Sequence, residues 1–179
     1  MEHFCQNIQG WFDFQNVYCE AIENAKDGAL FIEVGSWMGK STAFMGVEIV
    51  NSRKKINLVC IDAWSSEVDK DIAKYRLDTE LAFNEFKKNI SIFPFVTYYK
   101  MLSDEASKLF LNESADFVFI DASHHYNDVK NDISCWFPKV KTGCVLAGHD
   151  ANEPSVALAL KDSNINYGVT INTWVHHKT

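Results

Sequence analysis

Proline is scarce in this chain, with 3 in 179 residues, and its 8 glycines form neither repeat nor linker. Nothing therefore marks a domain boundary, and the length suits one domain with a single core. Residues 1–179 are read as that domain, with 1–27 as an N-terminal helical segment. No apolar stretch approaches the ~20 residues a membrane helix needs. The first residues, MEHFCQNIQGWFDF, lack the basic n-region and continuous apolar core of a signal peptide. The expectation is a cytoplasmic protein with no membrane partner. Basic residues are outnumbered, 17 Lys and Arg against 24 Asp and Glu, for a net charge of −7. They are scattered, SRKKI at 52–56 being the densest group. An electrostatic nucleic-acid binder shows a basic face, so DNA and RNA are not expected partners. The 5 cysteines are odd in number and include no Cys-x-x-Cys, which argues against a disulfide framework or a zinc ribbon. Cys60 and Cys144 lie in apolar runs and read as small buried hydrophobes.

What is present is an alternation of strand-like and helix-like segments. Residues 12–26 place Phe14, Val17, Tyr18, Ala21 and Ile22 on one helical face, and Asp27-Gly28 stops that helix. Short apolar runs at 29–34, 56–62, 95–100, 115–121 and 144–150 read as strands, and two more are expected near 165–170 and 172–177. Helical spacing covers 40–53, 77–90, 126–138, ended by Pro138, and 154–162. A further helix opens at Ser103, read as its N-cap. Lys141-Thr-Gly143 reads as a turn. Strands that are apolar on both faces and alternate with helices predict an α/β fold, a mostly parallel sheet with helices on both sides. Ligands in such sheets bind beyond the carboxyl ends of the strands, so the loops to examine are 35–39, 62–66, 101–104, 121–126 and 148–153.

The first of these loops lies in FIEVGSWMGKS (31–41). Gly35 and Gly39 let the backbone turn sharply, and the helix beginning near Lys40 presents amide groups and a positive dipole end. A phosphate loop would need four residues between its glycines before Gly-Lys-Ser; here three intervene. The three-glycine dinucleotide fingerprint is also missing. The strand–acid–x–glycine pattern, with its second glycine and small residue, instead resembles motif I of class I S-adenosylmethionine-dependent methyltransferases. DFVFIDASHHYNDVKNDI (116–133) and GCVLAGHD (143–150) resemble a small single-domain branch of that class, related to the catechol-type O-methyltransferases. There an Asp-x-x-His-x-Tyr segment ends strand four and a Gly-His-Asp ends strand five. Asp121, His124, Tyr126 and Asp132 match the first segment, and Gly148, His149 and Asp150 the second.

The resemblance covers nearly the whole chain. It implies a Rossmann-like, doubly wound sheet of seven strands with an antiparallel last strand. It implies S-adenosylmethionine as cofactor, held by Glu33, Gly35, Ser36, Gly39 and Ser41 around the first loop. Asp62 would meet the ribose, with Ala63 and Trp64 beside it, Ser103 would lie near the adenine, and Asp121 would close the set. Trp64 either stacks on the purine or covers the sheet end.

Asp121, His149 and Asp150 come from adjacent strand ends and should converge, and a carboxylate-rich cluster with one imidazole suits Mg²⁺ or Mn²⁺. In the related enzymes an Asp-Asn pair follows strand five; histidine at the first of those positions departs from the pattern. The metal-free alternative uses His124 or His149 as general base on an acceptor hydroxyl. His125 is read as a structural cap, and His176 and His177 as non-functional. The acceptor would be a small molecule, a sugar or a natural product. Only the N-terminal helix and loop 63–77 could cover it, so an open site or one completed in a homo-oligomer is expected. A cofactor-binding module without its own transferase activity is the competing reading.

Overall fold

A computed structural model describes residues 1–65 and 78–179. Seven strands, β1 (Ala29–Val34), β2 (Ile56–Asp62), β3 (Val96–Lys100), β4 (Ala115–Ile120), β5 (Val140–Gly148), β6 (Gly168–Thr170) and β7 (Thr173–His177), form one sheet in the order β3-β2-β1-β4-β5-β7-β6. Strands β1 to β5 pair in parallel, while β7 runs antiparallel to both β5 and β6. The helices are α1 (Gln15–Asn24), α2 (Lys40–Ser52), α3 (Thr79–Ile90), α4 (Ser103–Ser107), α5 (Tyr126–Trp136) and α6 (Pro154–Lys161). This is the expected Rossmann-like architecture, with the order of strands reversing between β1 and β4.

The period-2 geometry of each strand splits its apolar residues between two cores. On β1, Phe31 faces α1, α2 and α3, packing with Tyr18, Met45 and Phe86, while Ile32 and Val34 face α4, α5 and α6, packing with Ala106, Ile133 and Trp136. Each fully buried side chain of this size contributes about 1.5–3 kcal/mol. Helix α3 shows why a segment becomes a helix here: Asp78 caps it, its carboxylate accepting from the amides of Glu80 and Leu81, and Lys87 and Lys88 sit in the last turn where the dipole favours them.

Three expectations are corrected. The N-terminal helix begins at Gln15 rather than 12, because Phe12 and Phe14 both turn inward to meet each other, their rings 4.8 Å apart. Lys141-Thr-Gly143 lies inside β5: the pairing jumps from Ala115↔Val140 to Phe117↔Val145, and the extra β5 residues form an irregularity with Gly143 at φ +81°. Ser103 is the first helical residue of α4, and the cap position falls to Leu102. The greater part of the expected covering loop, residues 66–77, lies outside the described residues.

Candidate functional site

The carboxyl ends of β1, β2, β4 and β5 lie side by side, with Glu33 opposite Cys60, Val34 opposite Ile120, and Ile120 opposite Gly148. The loops that follow carry most of the residues the sequence singled out. They also carry backbone strain. Trp37, Trp64 and Asp150 hold positive φ, 45°, 42° and 58°, a conformation costly for side chains with a Cβ and concentrated at functional sites.

At the β1–β2 end, Glu33 is fully buried. Its carboxylate accepts from Tyr18 Oη at 2.8 Å, Ser36 Oγ at 2.7 Å and Thr42 Oγ1. Those donors explain how a buried carboxylate is tolerated, and they make Glu33 the anchor of the loop. Asp62 binds the same loop from β2: its carboxylate accepts from the amides of Ser36 (3.0 Å), Trp37 (2.8 Å) and Trp64 (2.7 Å). Gly35 has φ +88°, and a Cβ there would overlap the carbonyl oxygen of Asp121. Gly39, at φ +82°, closes on Phe86. The glycines thus serve the contact of the turn with β4 and α3.

Five residues expected to touch a cofactor are buried: Glu33, Ser36, Gly39, Ser41 and Trp64. Trp64 donates from Nε1 to Trp37 O at 2.8 Å and packs its ring on Phe83 and Phe86, each 4.7 Å away. This burial fits the second of the two roles expected of it, covering the sheet end. Along this rim Gly35, Asp62, Ala63, Ser103 and Asp121 are half-buried. Ser103 Oγ accepts from Trp136 Nε1 at 2.8 Å and hydrogen-bonds the buried Asp132, whose carboxyl is pushed up to about 7 by burial, a rise the Ser103 bond opposes.

At the β4–β5 end, a small open cleft is lined by Asp121, Ser123, His124, His149, Asp150 and Trp174, among others. His124 Nε2 lies 2.8 Å from Asp150 Oδ2. His149 Nδ1 lies 3.2 Å from the same oxygen and 3.7 Å from Asp121 Oδ1. Burial pushes the Asp121 carboxyl up to about 7, and the neighbouring Asp150 charge adds to this while His149 opposes it. Desolvation would lower His149, but its bond with Asp150 and the charges of Asp121 and Asp150 outweigh that and raise it to about 9. Burial would raise Asp150, yet the bonds from His124 and His149 hold it well below the usual carboxylate range.

The expected trio Asp121, His149 and Asp150 does converge. Among the described residues, however, the group with ligand atoms all within 4.8 Å of one another is Asp121, His124 and Asp150, two hard carboxylates and one imidazole, which suits Mn²⁺ or Mg²⁺. His125 occupies the cap position of α5 without a side-chain cap bond, so only its backbone fits the role expected of it. His176 is buried, with Nδ1 2.6 Å from Asn166 O, and His177 is exposed. Lys40 reaches back to Gly10 O at 2.9 Å.

Two residues of this end were not anticipated. Asp13 Oδ1 lies 2.7 Å from His149 Nε2, and Asn172 Nδ2 donates to Asp150 Oδ1 at 3.1 Å. The placement of Asp13 between Phe12 and Phe14, a period of two inside a stretch read as helix, was the available signal. Asn172 had none.

A family model described as a methyltransferase domain matches residues 32–151, the span from β1 to the loop after β5. No curated protein matches the sequence. Among solved structures, the O-methyltransferase NovP superposes with a TM-score of 0.63 at 14% identity, over 92% of this chain and 79% of its own. CalS11, a TDP-rhamnose 3′-O-methyltransferase of calicheamicin biosynthesis, gives 0.61 at 9% identity, over 91% and 76%. A Corynebacterium glutamicum protein gives 0.65 at 13% identity, over 97% and 85%. At such identities the likeness is one of fold.

Proposed function

Because this chain belongs to the methyltransferase-domain family, we propose that it moves a methyl group from S-adenosylmethionine to a hydroxyl of a small acceptor at the β4–β5 cleft. The observation that carries the reading is the pair His124–Asp150, 2.8 Å apart in the lining of that cleft. S-adenosylmethionine, when bound, supplies a methyl already activated by sulfonium charge. The chain's work is then to align the reactants and to take a proton from the acceptor.

The residues proposed to meet the donor are the half-buried ones along the rim, Asp62, Ala63, Ser103 and Asp121. The glycine turn, held by Glu33 and Asp62, fixes where the donor would lie. An Asp62 contact to ribose would have to share a carboxylate that already accepts three amides. His124 is the base: its side chain is 44% exposed, against 10% for His149, and Asp150 beside it stabilises the imidazolium formed on proton uptake. The step balances: the acceptor O–H bond breaks and its proton goes to a ring nitrogen of His124, the acceptor oxygen forms the new O–CH₃ bond, and the S–CH₃ bond breaks with its electron pair left on sulfur, giving S-adenosylhomocysteine.

The compact donor set of Asp121, His124 and Asp150 favours a second form of the same reading, in which these residues hold a divalent cation. A cation there would polarise the acceptor hydroxyl. NovP and CalS11 are O-methyltransferases, and a sugar or natural-product hydroxyl is the acceptor class proposed by analogy. Calorimetry with S-adenosylmethionine and with S-adenosylhomocysteine tests the core claim, and one-to-one binding in the micromolar range is the expected result. Absence of heat and of thermal stabilisation at millimolar ligand would sink it. Titration of the chelated protein with Mn²⁺ separates the two forms.

A further inference from the structure

We propose that Asp13 is a positioning residue of this site. By accepting the Nε2 proton of His149, it would fix that imidazole with Nδ1 turned to Asp121 and Asp150, and so leave His124 as the base. The inference rests on the methyl-transfer reading. It adds a residue from outside the 32–151 span that the family model covers.

Three observations converge. Asp13 is held in place by its neighbours. Phe14 is buried and stacks on Phe119, ring centroids 4.4 Å apart, and Phe12 packs on Phe44 at 5.0 Å. With both aromatics turned inward, the residue between them faces out, over the end of β5. The ring it meets is also held: His149 lies over Phe14, centroids 5.0 Å apart and planes tilted by 52°, with its side chain 10% exposed. Finally, both ring nitrogens have carboxylate partners in this orientation, Nε2 at 2.7 Å from Asp13 and Nδ1 at 3.2 Å from Asp150. Turning the ring over about Cβ–Cγ would present carbon atoms in those places and lose both contacts.

A stability role does not explain Asp13. Its side chain is 57% exposed, and ion pairs at such positions add little to folding. Orientation does explain it. Histidines at working sites have the state of one nitrogen set by the bond the other makes. Asn172 Nδ2 donates to Asp150 Oδ1 at 3.1 Å and lies 3.4 Å from Nε2; an amide NH₂ cannot accept, so the acceptor for Nε2–H is the Asp13 carboxylate at the shorter 2.7 Å. An Nε2 engaged in this way is withdrawn from the acceptor hydroxyl.

The test uses the full chain labelled with ¹⁵N-histidine and long-range ¹H–¹⁵N spectra, with His149→Gln identifying the His149 signals. In the wild type, His149 should show a protonated, exchange-protected Nε2. Asp13→Ala should lose that protected signal while S-adenosylhomocysteine affinity and the melting temperature stay within error. Asp13→Asn keeps a carbonyl oxygen at the same reach and should restore it. A bare Nε2 in the wild type, or an Asp13→Ala spectrum that superimposes on it, overturns the proposal. Failure of the wild type to bind S-adenosylhomocysteine overturns instead the functional reading beneath it, so the two failures are separable.

Discussion

The two ends of the strand rim use charge differently. At the β1–β2 end, Glu33 and Asp62 spend their carboxylates on the protein itself, on hydroxyls of Tyr18, Ser36 and Thr42 and on amides of Ser36, Trp37 and Trp64. At the β4–β5 end, Asp13, Asp121 and Asp150 lie close to His124 and His149; burial raises the Asp121 carboxyl, while the bonds from His124 and His149 hold Asp150 below the usual carboxylate range. Buried charge persists only where donors meet it, so the first end is a scaffold. Perturbed titration in an open cleft is a mark of working groups, which is the ground for proposing the second end as the place of chemistry. A motif with acids and glycines therefore indicates where the loop is; the donors around each acid indicate what the acid does.

The strongest way to break the scaffold end is Gly35→Ala. The new Cβ meets the Asp121 carbonyl, and the backbone sits at φ +88°. Strain and overlap together should cost at least about 3 kcal/mol, read as a lower urea midpoint. If the midpoint is unchanged, the turn is not packed on β4 as described.

Asp132 sharpens the comparison, because it is buried like Glu33 yet has few donors. Its carboxyl rises from 3.8 to about 7, chiefly by burial, with the Ser103 bond opposing. The folded state thus holds a proton that the unfolded chain releases above pH 3.8. The stability from this group is complete below that value and is lost as pH rises toward 7, by at most about 4 kcal/mol. Asp132→Asn should remove this slope from the unfolding free energy measured between pH 4 and 8. An identical slope in the variant would show that Asp132 is ionised in the fold.

Much of the scaffold end was legible in the sequence. Strands with both faces apolar, such as the one carrying Phe31, Ile32 and Val34, announce a parallel sheet between two helical layers, and the glycine turn follows directly from it. The roles around that turn were less legible. Whether Trp64 is buried or open depends on Phe83 and Phe86, some 20 residues away in sequence. Burial of Glu33 depends on Tyr18, which the helical pattern placed on an apolar face without revealing its hydroxyl's partner. At the β4–β5 end, His124 and Asp150 were named, but the contact that separates His149 from His124 spans 136 positions to Asp13. Local pattern carries no information about a pairing of that range.

His124→Ala addresses the working end alone. The side chain is 44% exposed, so stability and S-adenosylhomocysteine binding should hold. Methyl transfer to any hydroxyl acceptor the wild type uses should fall by about 100-fold, or about 2.7 kcal/mol in the barrier, followed with radiolabelled donor. Equal losses of donor affinity and turnover would move His124 into the scaffold.

The smallest effect is expected one residue on. His125 is exposed, occupies the cap position of α5 with its backbone, and makes no side-chain cap bond. Its backbone amide donates to Ser123 Oγ at 3.2 Å, a contact alanine keeps. His125→Ala should therefore shift stability by less than about 0.5 kcal/mol and leave turnover unchanged in the same radiolabel assay. Two adjacent histidines would then differ by two orders of magnitude in effect, for a reason lying wholly in which of them Asp150 meets. A loss at His125 matching that at His124 would mean that the pair act together and that the 2.8 Å contact to Asp150 does not single out the base.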